Sequence, residues 1–316
     1  MIYFYNESHD PFFNLAAEEF FLKEKKDDFL IISVNDSSVI VGKHQVSHME
    51  TDTKTVTRNQ IPVIRRISGG GSVYHDKGNV NFAFILNSEQ GRQVDFRKYT
   101  LPVISFLKSL GVNAEFGDKN DIRINGFKIS GNAEHVYRNR VLHHGTLLFD
   151  TDLMMLNSVL RKKTDKYITR AVSSNPSPVA NLKDIIRNID SVNEFIAAMM
   201  KWFTINIPGE VIKSLDNEDA AKIQLLSREK YRTREWNYCY GPEYQFSNDF
   251  MLDGILHHCT LKVRDGIIME SGISGLQEME RVSPALIGYH HMPDEMYEFF
   301  RKNNCRVSWD DIFNFF

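Results

Sequence analysis

Cysteine is scarce in this chain. Its 316 residues include three cysteines, Cys239, Cys259 and Cys305, and residues 1–238 contain none. The three are not spaced for a zinc site or a redox pair, which makes the cytosol the natural compartment. The chain also lacks an apolar run near the roughly 18 residues of a membrane span, and Met1–Tyr5 do not begin an export signal. We therefore expect a cytoplasmic protein that does not contact membranes.

A strong net charge is absent as well. The formal net charge is −3 at pH 7 and the sequence pI is about 6.4, which argues against nonspecific binding to nucleic acid or membranes. With 42% hydrophobic residues, a chain of this length buries a substantial core and is expected to form about two domains. The pair Gly241-Pro242 predicts their boundary, which gives domains of residues 1–241 and 242–316.

Hydrophobic periodicity predicts an α+β fold for the larger domain, with a mixed, largely antiparallel sheet flanked by helices. The smaller domain reads as two strands and a helix, a small α+β accessory domain. The predicted strands are 29–34, 39–41 and 81–86, then 254–262 and 265–270. The predicted helices are 14–26, 96–110, 153–161 and 192–203, then 294–302.

The most informative segment is a glycine run after two arginines, Arg65-Arg66-Ile67-Ser68-Gly69-Gly70-Gly71. Glycines let backbone N–H groups approach an anion closely, and the two guanidinium groups supply positive charge for phosphate or carboxylate oxygens. The run has neither the residue order of a P-loop nor the spacing of a dinucleotide fingerprint. We interpret it as a phosphate-binding loop of another kind. A bulged turn between two strands is the alternative.

A second segment, Asp121–Gly131, predicts a β-hairpin with its turn at Asn125-Gly126. One face of this hairpin is apolar and the other is polar, because side chains alternate along strands. The polar face is either a catalytic surface around Lys128 or an ordinary solvated face. The predicted cross-strand pairs are Ile124–Phe127, Arg123–Lys128, Ile122–Ile129 and Asp121–Ser130.

A third segment places two adjacent histidines, His143 and His144, before Gly145 on a predicted strand. Neighbouring strand residues point to opposite faces, so the two rings cannot bind one metal ion, and no cysteine or further histidine stands nearby. We expect one histidine to pack inside the protein and the other to face the site.

In this order, the three segments resemble the motifs of the lipoate-protein ligase family. The matching stretches are RRISGGGSVYHDKGNVNF, NDIRINGFKISGNA and HHGTLLFDTDL, and residues 14–19, NLAAEE, resemble the family's first helix. The likeness covers nearly the whole chain, since residues 228–238 resemble the junction before the family's small C-terminal domain. It implies a biotin/lipoate ligase-like catalytic domain that activates lipoate with ATP to lipoyl-AMP. The lipoyl group would then pass to a lysine of an acceptor, a 2-oxoacid dehydrogenase acyltransferase subunit or the glycine cleavage H protein.

The resemblance also implies roles for individual residues. Lys128 matches the lysine that bridges the acyl carbonyl and the α-phosphate, where its charge offsets the approach of two anions and then polarises the carbonyl. Asp121 matches an acidic position that either holds Mg²⁺ or orients Lys128. The implied ATP or adenylate contacts are Arg66, Gly71, Ser72, Val73, Tyr74, Lys128 and Ser130. The implied lipoyl contacts are Arg65, Gly70, Gly71, His75, Lys128, His144 and Gly145.

The same resemblance implies ligands and partners. Mg²⁺ is expected with ATP because the leaving pyrophosphate needs a hard counterion. Lipoyl-bearing domains are usually acidic around their lysine, which predicts a basic docking patch, with a solvated surface as the alternative. We expect a monomer that binds no nucleic acid. The candidate patch residues are Arg138, Arg140, Arg161, Lys162 and Lys163.

One segment departs from the family pattern. Ligases of the family typically carry an arginine in the loop that closes on the adenylate, and Pro178 stands at that position here. Pro176 and Pro178 stiffen the loop and remove two backbone donors. Residues 173–181 are closer to those of lipoyltransferases, which use preformed lipoyl-AMP or a lipoylated protein as donor, although Arg170 and Lys166 could compensate. The sequence is therefore compatible both with a complete ligase and with a lipoyltransferase.

Three other classes fit less well. Octanoyl transferases of the superfamily use a cysteine nucleophile in the catalytic domain, where this chain has none. A biotin ligase would carry a basic Gly-Arg-rich loop, which residues 65–79 do not resemble. A non-catalytic lipoyl- or nucleotide-binding protein would have no need of Lys128 and Asp121 together with both arginines.

Overall fold

The computed structural model describes residues 1–88, 94–161, 165–212 and 214–316. Strands and helices alternate irregularly along them, as the sequence predicts. The strands are β1 Ile2–Asn6, β2 Phe29–Val34, β3 Ser38–Val41, β4 Val63–Arg65, β5 Val73–His75, β6 Asn79–Asn87, β7 Glu115–Phe116, β8 Ile122–Ile124, β9 Phe127–Ser130, β10 Asn132–Tyr137, β11 Arg140–Leu148, β12 Tyr167–Thr169, β13 Glu210–Ile212, β14 Tyr244–Leu252, β15 Ile255–Arg264 and β16 Ile267–Ser274. The α-helices are α1 Pro11–Glu24, α2 Ser47–Glu50, α3 Thr53–Arg58, α4 Phe96–Ser109, α5 Leu153–Val159, α6 Val192–Asn206, α7 Asn217–Leu226, α8 Gln277–Val282 and α9 Pro293–Lys302.

A six-stranded sheet forms the centre of the larger part, in the order β10-β11-β6-β2-β1-β13. Neighbours from β10 to β2 are antiparallel, whereas β1 pairs in parallel with β2 and β13. The predicted mixed, largely antiparallel α+β sheet is therefore confirmed. All six residues of β2 are buried, because helices cover both faces of the sheet.

Helices α4 and α6 pack on one face of this sheet through a core that includes Phe84, Phe106 and Phe203. Helix α1 packs on the other face. It begins at Pro11, earlier than predicted, because Asp10 caps it by accepting a hydrogen bond from the N–H of Phe12 at 3.0 Å. The Asp10-Pro11 pair was a signal for this start that the sequence analysis did not use.

The β8–β9 hairpin turns at Asn125-Gly126, where both residues have positive φ, 49° and 82°, as its two-residue turn requires. The pairs Ile124–Phe127 and Arg123–Lys128 are confirmed. A β-bulge then places Ile122 opposite Ser130, so the predicted pairs Ile122–Ile129 and Asp121–Ser130 are wrong. Phe127 is 47% exposed, so the predicted apolar face is incomplete.

The C-terminal part is an antiparallel sheet in the order β12-β14-β15-β16, with α8 and α9 packed on it through a core around Phe246 and Phe300. Strand β12 precedes the predicted boundary at Gly241-Pro242, yet it pairs with β14. The division at residues 241 and 242 stays a prediction. No helix of the four described ranges is long and apolar enough to cross a membrane.

Candidate active site

Two adjoining cavities lie over one end of the six-stranded sheet. The main cavity, about 550 Å³, is bounded by α1, the glycine loop 68–72 and a covering loop that we define as residues 172–178. The side cavity, about 110 Å³, is walled by apolar side chains that include Tyr74, Leu148 and Leu156. Lys128 and Thr146 border both cavities. The site thus offers two connected compartments with a lysine at their junction.

Arg66 holds the glycine loop in its turned shape. Burial lowers the pKa of its guanidinium to about 10, so it remains a cation at neutral pH. Gly70 has a φ of +85°, a conformation that favours glycine. The acceptors of Arg66 are the carbonyls of Ile40, Gly69 and Gly71 and the hydroxyl of Ser68.

Arg65 lies outside both cavities. Its side chain is fully buried, and its guanidinium donates to backbone carbonyls and one hydroxyl. The predicted lipoyl contact of Arg65 is therefore wrong, because its donors are spent inside the protein, where they join β4 to the segment that leads into the C-terminal part. The acceptors are the carbonyls of Gly42, Lys43, Gln45, Trp236 and Asn237 and the Ser47 hydroxyl.

Lys128 presents an ammonium group that no hydrogen bond or ion pair to the described protein engages. Burial lowers its pKa, a nearby Asp121 carboxylate opposes the shift, and Arg123 adds to it. The backbone of Lys128 is fixed instead, since its N–H donates to the Pro178 carbonyl at 2.9 Å and its carbonyl accepts from Ala180 at 3.2 Å. A fixed backbone with an unengaged cation is suited to charge neutralisation during a reaction.

Asp121 also borders the main cavity, with its side chain 4% exposed. One carboxylate oxygen lies 2.7 Å from Nη2 of Arg123, and the other has no hydrogen-bond partner in the described part of the chain. Arg123 Nη2 also donates to Ser177 Oγ of the covering loop at 2.9 Å. No group of three or more His, Cys, Asp or Glu side chains forms a metal site in the portion of the chain that is described. Asp121 thus offers one free oxygen to a cation that takes its other ligands from elsewhere.

The two adjacent histidines separate as predicted. His144 borders the main cavity, where its two ring nitrogens lie 2.6 Å from Glu18 Oε2 and 2.6 Å from Ser68 Oγ. His143 is buried on the opposite face, 2.8 Å from Glu134 and stacked against Tyr99. Burial lowers the pKa of His143.

Hydrogen bonds of Ser174 hold the covering loop against the rest of the site. Its hydroxyl accepts from the backbone N–H of Ser72 at 2.7 Å and from Gln45 Nε2 at 3.2 Å, and it donates to Glu50. Burial raises the pKa of Glu50. The sequence gives no sign of the roles of Gln45 and Glu50, because both precede the glycine run by some twenty residues and belong to no recognisable pattern.

The remaining predicted site residues divide between the cavities. Tyr74 borders only the side cavity, and Ser130 borders neither, since it is fully buried and accepts from Asn132 at 3.3 Å. The predicted adenylate contact of Ser130 is therefore wrong. Lys166 and Arg170 line neither cavity, and compensation for the altered loop by these residues stays a prediction. The residues that the main cavity brings together are Gly70, Gly71, Ser72, Val73, His75, Lys128, Asp121, His144 and Gly145.

The predicted docking patch is only partly at the surface. Arg140 is buried and donates to the carbonyls of Lys26 and Asp27, each at 2.7 Å, so its place in the patch is wrong. Arg138 is exposed, and Arg161 borders the side cavity. Lys162 and Lys163 lie outside the described residues.

An α+β domain with two compartments joined at a lysine, beneath a glycine loop and a covering loop, defines a catalytic domain of the ligase class. Residues 10–204 match the family model of the lipoyl protein ligase A/B catalytic domain. Lipoate-protein ligase LplJ of Bacillus subtilis is 37% identical over 282 residues, covering 87% of this chain and 85% of that protein. Lipoate–protein ligase 1 of Staphylococcus aureus is 34% identical over 304 residues, which cover 93% of this chain and 92% of that protein. The chain belongs to the lipoyl protein ligase A/B family.

Solved structures of relatives share the fold of the larger part. A lipoate-protein ligase A bound with ATP is 28% identical with a TM-score of 0.64, covering 75% of this chain and 97% of that one. A Thermoplasma acidophilum structure with bound lipoic acid is 27% identical with a TM-score of 0.64, covering 75% and 98%. Another structure contains a bi-partite lipoate protein ligase from that organism and its E2 lipoyl domain. Its sequence identity is 27% and its TM-score 0.64, and the match covers 75% of this chain and 95% of that one.

Proposed function

We propose that this protein activates lipoate with ATP and transfers the lipoyl group to a lysine of an acceptor protein. The observation that carries the proposal is the position of Lys128 at the junction of two cavities that differ in character. The larger one has room for an acyl chain, and the smaller apolar one suits a nucleobase. Relatives have been solved with ATP and with lipoic acid, the two ligands that the cavities would hold.

In the first step, a lipoate carboxylate oxygen would form a bond to the α-phosphorus of ATP, and the bond from that phosphorus to the leaving oxygen would break to release pyrophosphate. Both reactants are anions, so catalysis consists mainly of neutralising and positioning them. Lys128 is the group that contacts both, and Arg66 keeps the glycine loop shaped around them. Mg²⁺, when bound, would supply a hard counterion for pyrophosphate, and the free oxygen of Asp121 is the protein ligand that fits it.

In the second step, the amine of an acceptor lysine would attack the acyl carbonyl, form the amide and expel AMP. Lys128 would polarise the carbonyl as negative charge develops on its oxygen. Arg123 of β8 pairs with Asp121 and donates to Ser177, beside the proline that stands where the family typically has an arginine. We propose that it supplies the positive charge next to the covering loop. This position supports a complete ligase over a transferase.

We further propose that the acceptor is a lipoyl domain of an acyltransferase subunit or an H protein, and that the protein acts in the cytoplasm as a monomer. The three thiols are unpaired, which suits a reducing compartment. The E2 lipoyl domain solved with a relative supports the class of acceptor.

The test is to incubate the purified protein with ATP, Mg²⁺ and lipoate without an acceptor and to measure lipoyl-AMP and pyrophosphate by mass spectrometry. Lys128→Ala should lower adenylate formation by at least about 100-fold, the scale of a lost electrostatic contact in the transition state. Lys222→Ala is the matched control, because Lys222 is an exposed lysine paired with Glu218 on α7.

The outcomes separate the two candidate activities. Adenylate formed by the wild type and lost in Lys128→Ala supports the complete ligase. No adenylate, followed by amide formation when lipoyl-AMP and an acceptor domain are supplied, would make the protein a lipoyltransferase and overturn the adenylation step.

A further inference from the structure

The floor of the main cavity carries a row of polar side chains on three adjacent strands. Thr146 of β11 lies opposite Asn81 of β6, and Asn81 lies opposite Ser33 of β2. Residues in register on adjacent antiparallel strands point to the same face, so all three side chains face the cavity. Neighbouring strands are about 4.8 Å apart, so the row spans roughly 10 Å.

The row begins beside the reacting centre. Thr146 borders both cavities with Lys128, and its hydroxyl accepts from the N–H of Gly131 at 3.1 Å. Ser33 is at the other end of the row. The span between them is close to the length of an extended octanoyl chain, so Ser33 and Asn81 lie where the distal end of a bound acyl group would rest.

The distal end offers hydrogen-bond donors that the protein leaves without acceptors. Among the described residues, the buried Asn81 Nδ2 has no hydrogen-bond partner, whereas the amide oxygen of Asn81 accepts from Asn79 Nδ2 at 2.7 Å. The Ser33 hydroxyl has no protein partner within the described ranges. His75 Nδ1 lies 2.8 Å from Asn35 Nδ2, so it accepts that amide proton, and the neutral ring carries its own proton on Nε2, which is buried and unpartnered.

The ring of His75 is held in this state. Burial is the largest cause of a pKa of about 3, and the positive charge of Arg66 lowers it further. The Asn35 amide is itself oriented, because its oxygen accepts from Asn14 Nδ2 at 2.7 Å. The donor on Nε2 is therefore present throughout the physiological pH range.

We propose that this end of the cavity selects acyl chains of octanoyl length that carry a neutral hydrogen-bond acceptor, such as a keto oxygen, near the distal carbon. This inference rests on the proposed function, because it assigns a specificity to the same cavity. Buried donors without acceptors are unfavourable, and a ligand oxygen satisfies them. A plain octanoyl chain offers no acceptor, and the ring sulfurs of lipoate are weak ones.

A neutral acceptor fits better than a carboxylate. His75 is uncharged, the guanidinium of Arg66 is engaged by four protein acceptors, and the carboxylate of Glu18 lies on the same cavity wall. A second negative charge at the distal end would therefore meet repulsion from Glu18, while the unengaged cation of Lys128 lies at the other end of the row.

The experiment compares 7-oxooctanoate, octanoate and lipoate as substrates of the full chain. The kcat/KM of pyrophosphate release and the dissociation constant from calorimetry are measured for each acid. The wild type should prefer 7-oxooctanoate to octanoate by about tenfold or more. Ser33→Ala should reduce the ratio, and Ser33→Ala with Asn81→Leu should reduce it further, with Nε2 of His75 as the remaining donor. Leu15→Met, which alters an apolar wall and no donor, is the matched control and should keep the wild-type ratio.

A ratio near one in the wild type, with both acids bound or turned over, overturns the inference and leaves the proposed function intact. It would mean that water satisfies the donors when either acid is bound. If the acids bind but none is adenylated, the adenylation step fails while the ratio of dissociation constants still decides the inference. The single Ser33→Ala variant gives the answer if the double variant does not fold.

Discussion

The backbone N–H of Lys128 donates to the carbonyl of Pro178 at 2.9 Å. This bond, with the one from Ala180 to the Lys128 carbonyl, makes the end of the covering loop a short parallel partner of β9. The lysine that the sequence marks as catalytic and the proline that departs from the family pattern are thus in direct contact. The pairing uses the carbonyl of Pro178, so the donor that a proline lacks is not needed there.

Replacing this proline should loosen the loop without unfolding the protein. Pro178→Ala gives the backbone more conformational freedom in the unfolded protein and in the open loop, which should lower the stability of the closed, folded state by about 0.4–1 kcal/mol. Hydrogen exchange of the Lys128 amide should become faster, as measured by mass spectrometry or NMR. Pro208→Ala, the same replacement outside the loop, should leave that amide unchanged. Equal Lys128 exchange in both variants would show that Pro178 does not hold the loop.

The contact between Ser174 and Glu50 should be strongly coupled. Ser174→Ala leaves the buried Glu50 carboxylate without its main donor and should lower the free energy of unfolding by about 1–3 kcal/mol. Glu50→Gln should offset part of this loss in the double variant, because a neutral amide is less costly to bury than a carboxylate. Urea denaturation of the four proteins gives the coupling energy. Ser173→Ala, at the exposed neighbouring serine, should cost little, and additive losses at Ser174 and Glu50 would refute the coupling.

The two adjacent arginines should respond differently to the same replacement. Arg65→Lys cannot replace the planar fork that reaches six acceptors, so the free energy of unfolding should fall by about 2 kcal/mol or more. Lipoate affinity, measured by calorimetry well below the melting temperature, should change less than twofold. Arg66→Lys should weaken lipoate binding as well, because Arg66 shapes the cavity wall. A large loss of affinity in Arg65→Lys would restore the lipoyl contact that the sequence predicted.

Stability should decline as the pH falls below about 6.5. Burial lowers the pKa of His75 to about 3 and that of His291 to about 4. Between these values and pH 6.5, the two rings are therefore protonated in the unfolded chain and neutral in the folded protein. The free energy of unfolding therefore rises with pH between these values and 6.5, by about 1.4 kcal/mol per pH unit for each ring. His75→Gln should reduce the slope of a pH series by about one ring's share. His44→Gln, at an exposed histidine, should keep the wild-type slope, and a slope unaltered by His75→Gln would contradict the assignment.

Much of the fold could be read from local pattern. The run 29–34, apolar except for Ser33, predicts a strand that the structure reproduces as β2, because a strand covered on both faces needs apolar residues at most positions. Asn125-Gly126 predicts the hairpin turn, since few residue pairs tolerate two positive φ angles. On β6, the alternation of Asn79 and Asn81 with apolar residues indicates one polar face. The sequence of β2 shows no such alternation, so it does not indicate that Ser33 extends this polar face.

The sequence by itself determined the family motifs, the hairpin turn and the separation of His143 from His144, because each depends on chain-local geometry or on residue order. Only the tertiary structure decided that Arg66 shapes the cavity, whereas the donors of Arg65 bind acceptors inside the protein. It also decided that a bulge shifts Asp121 away from Ser130 and that Glu50 holds the covering loop. The physical reason is the same in each case. A polar group takes its role from the partners that packing brings to it, and those partners lie on strands and loops far away in the chain.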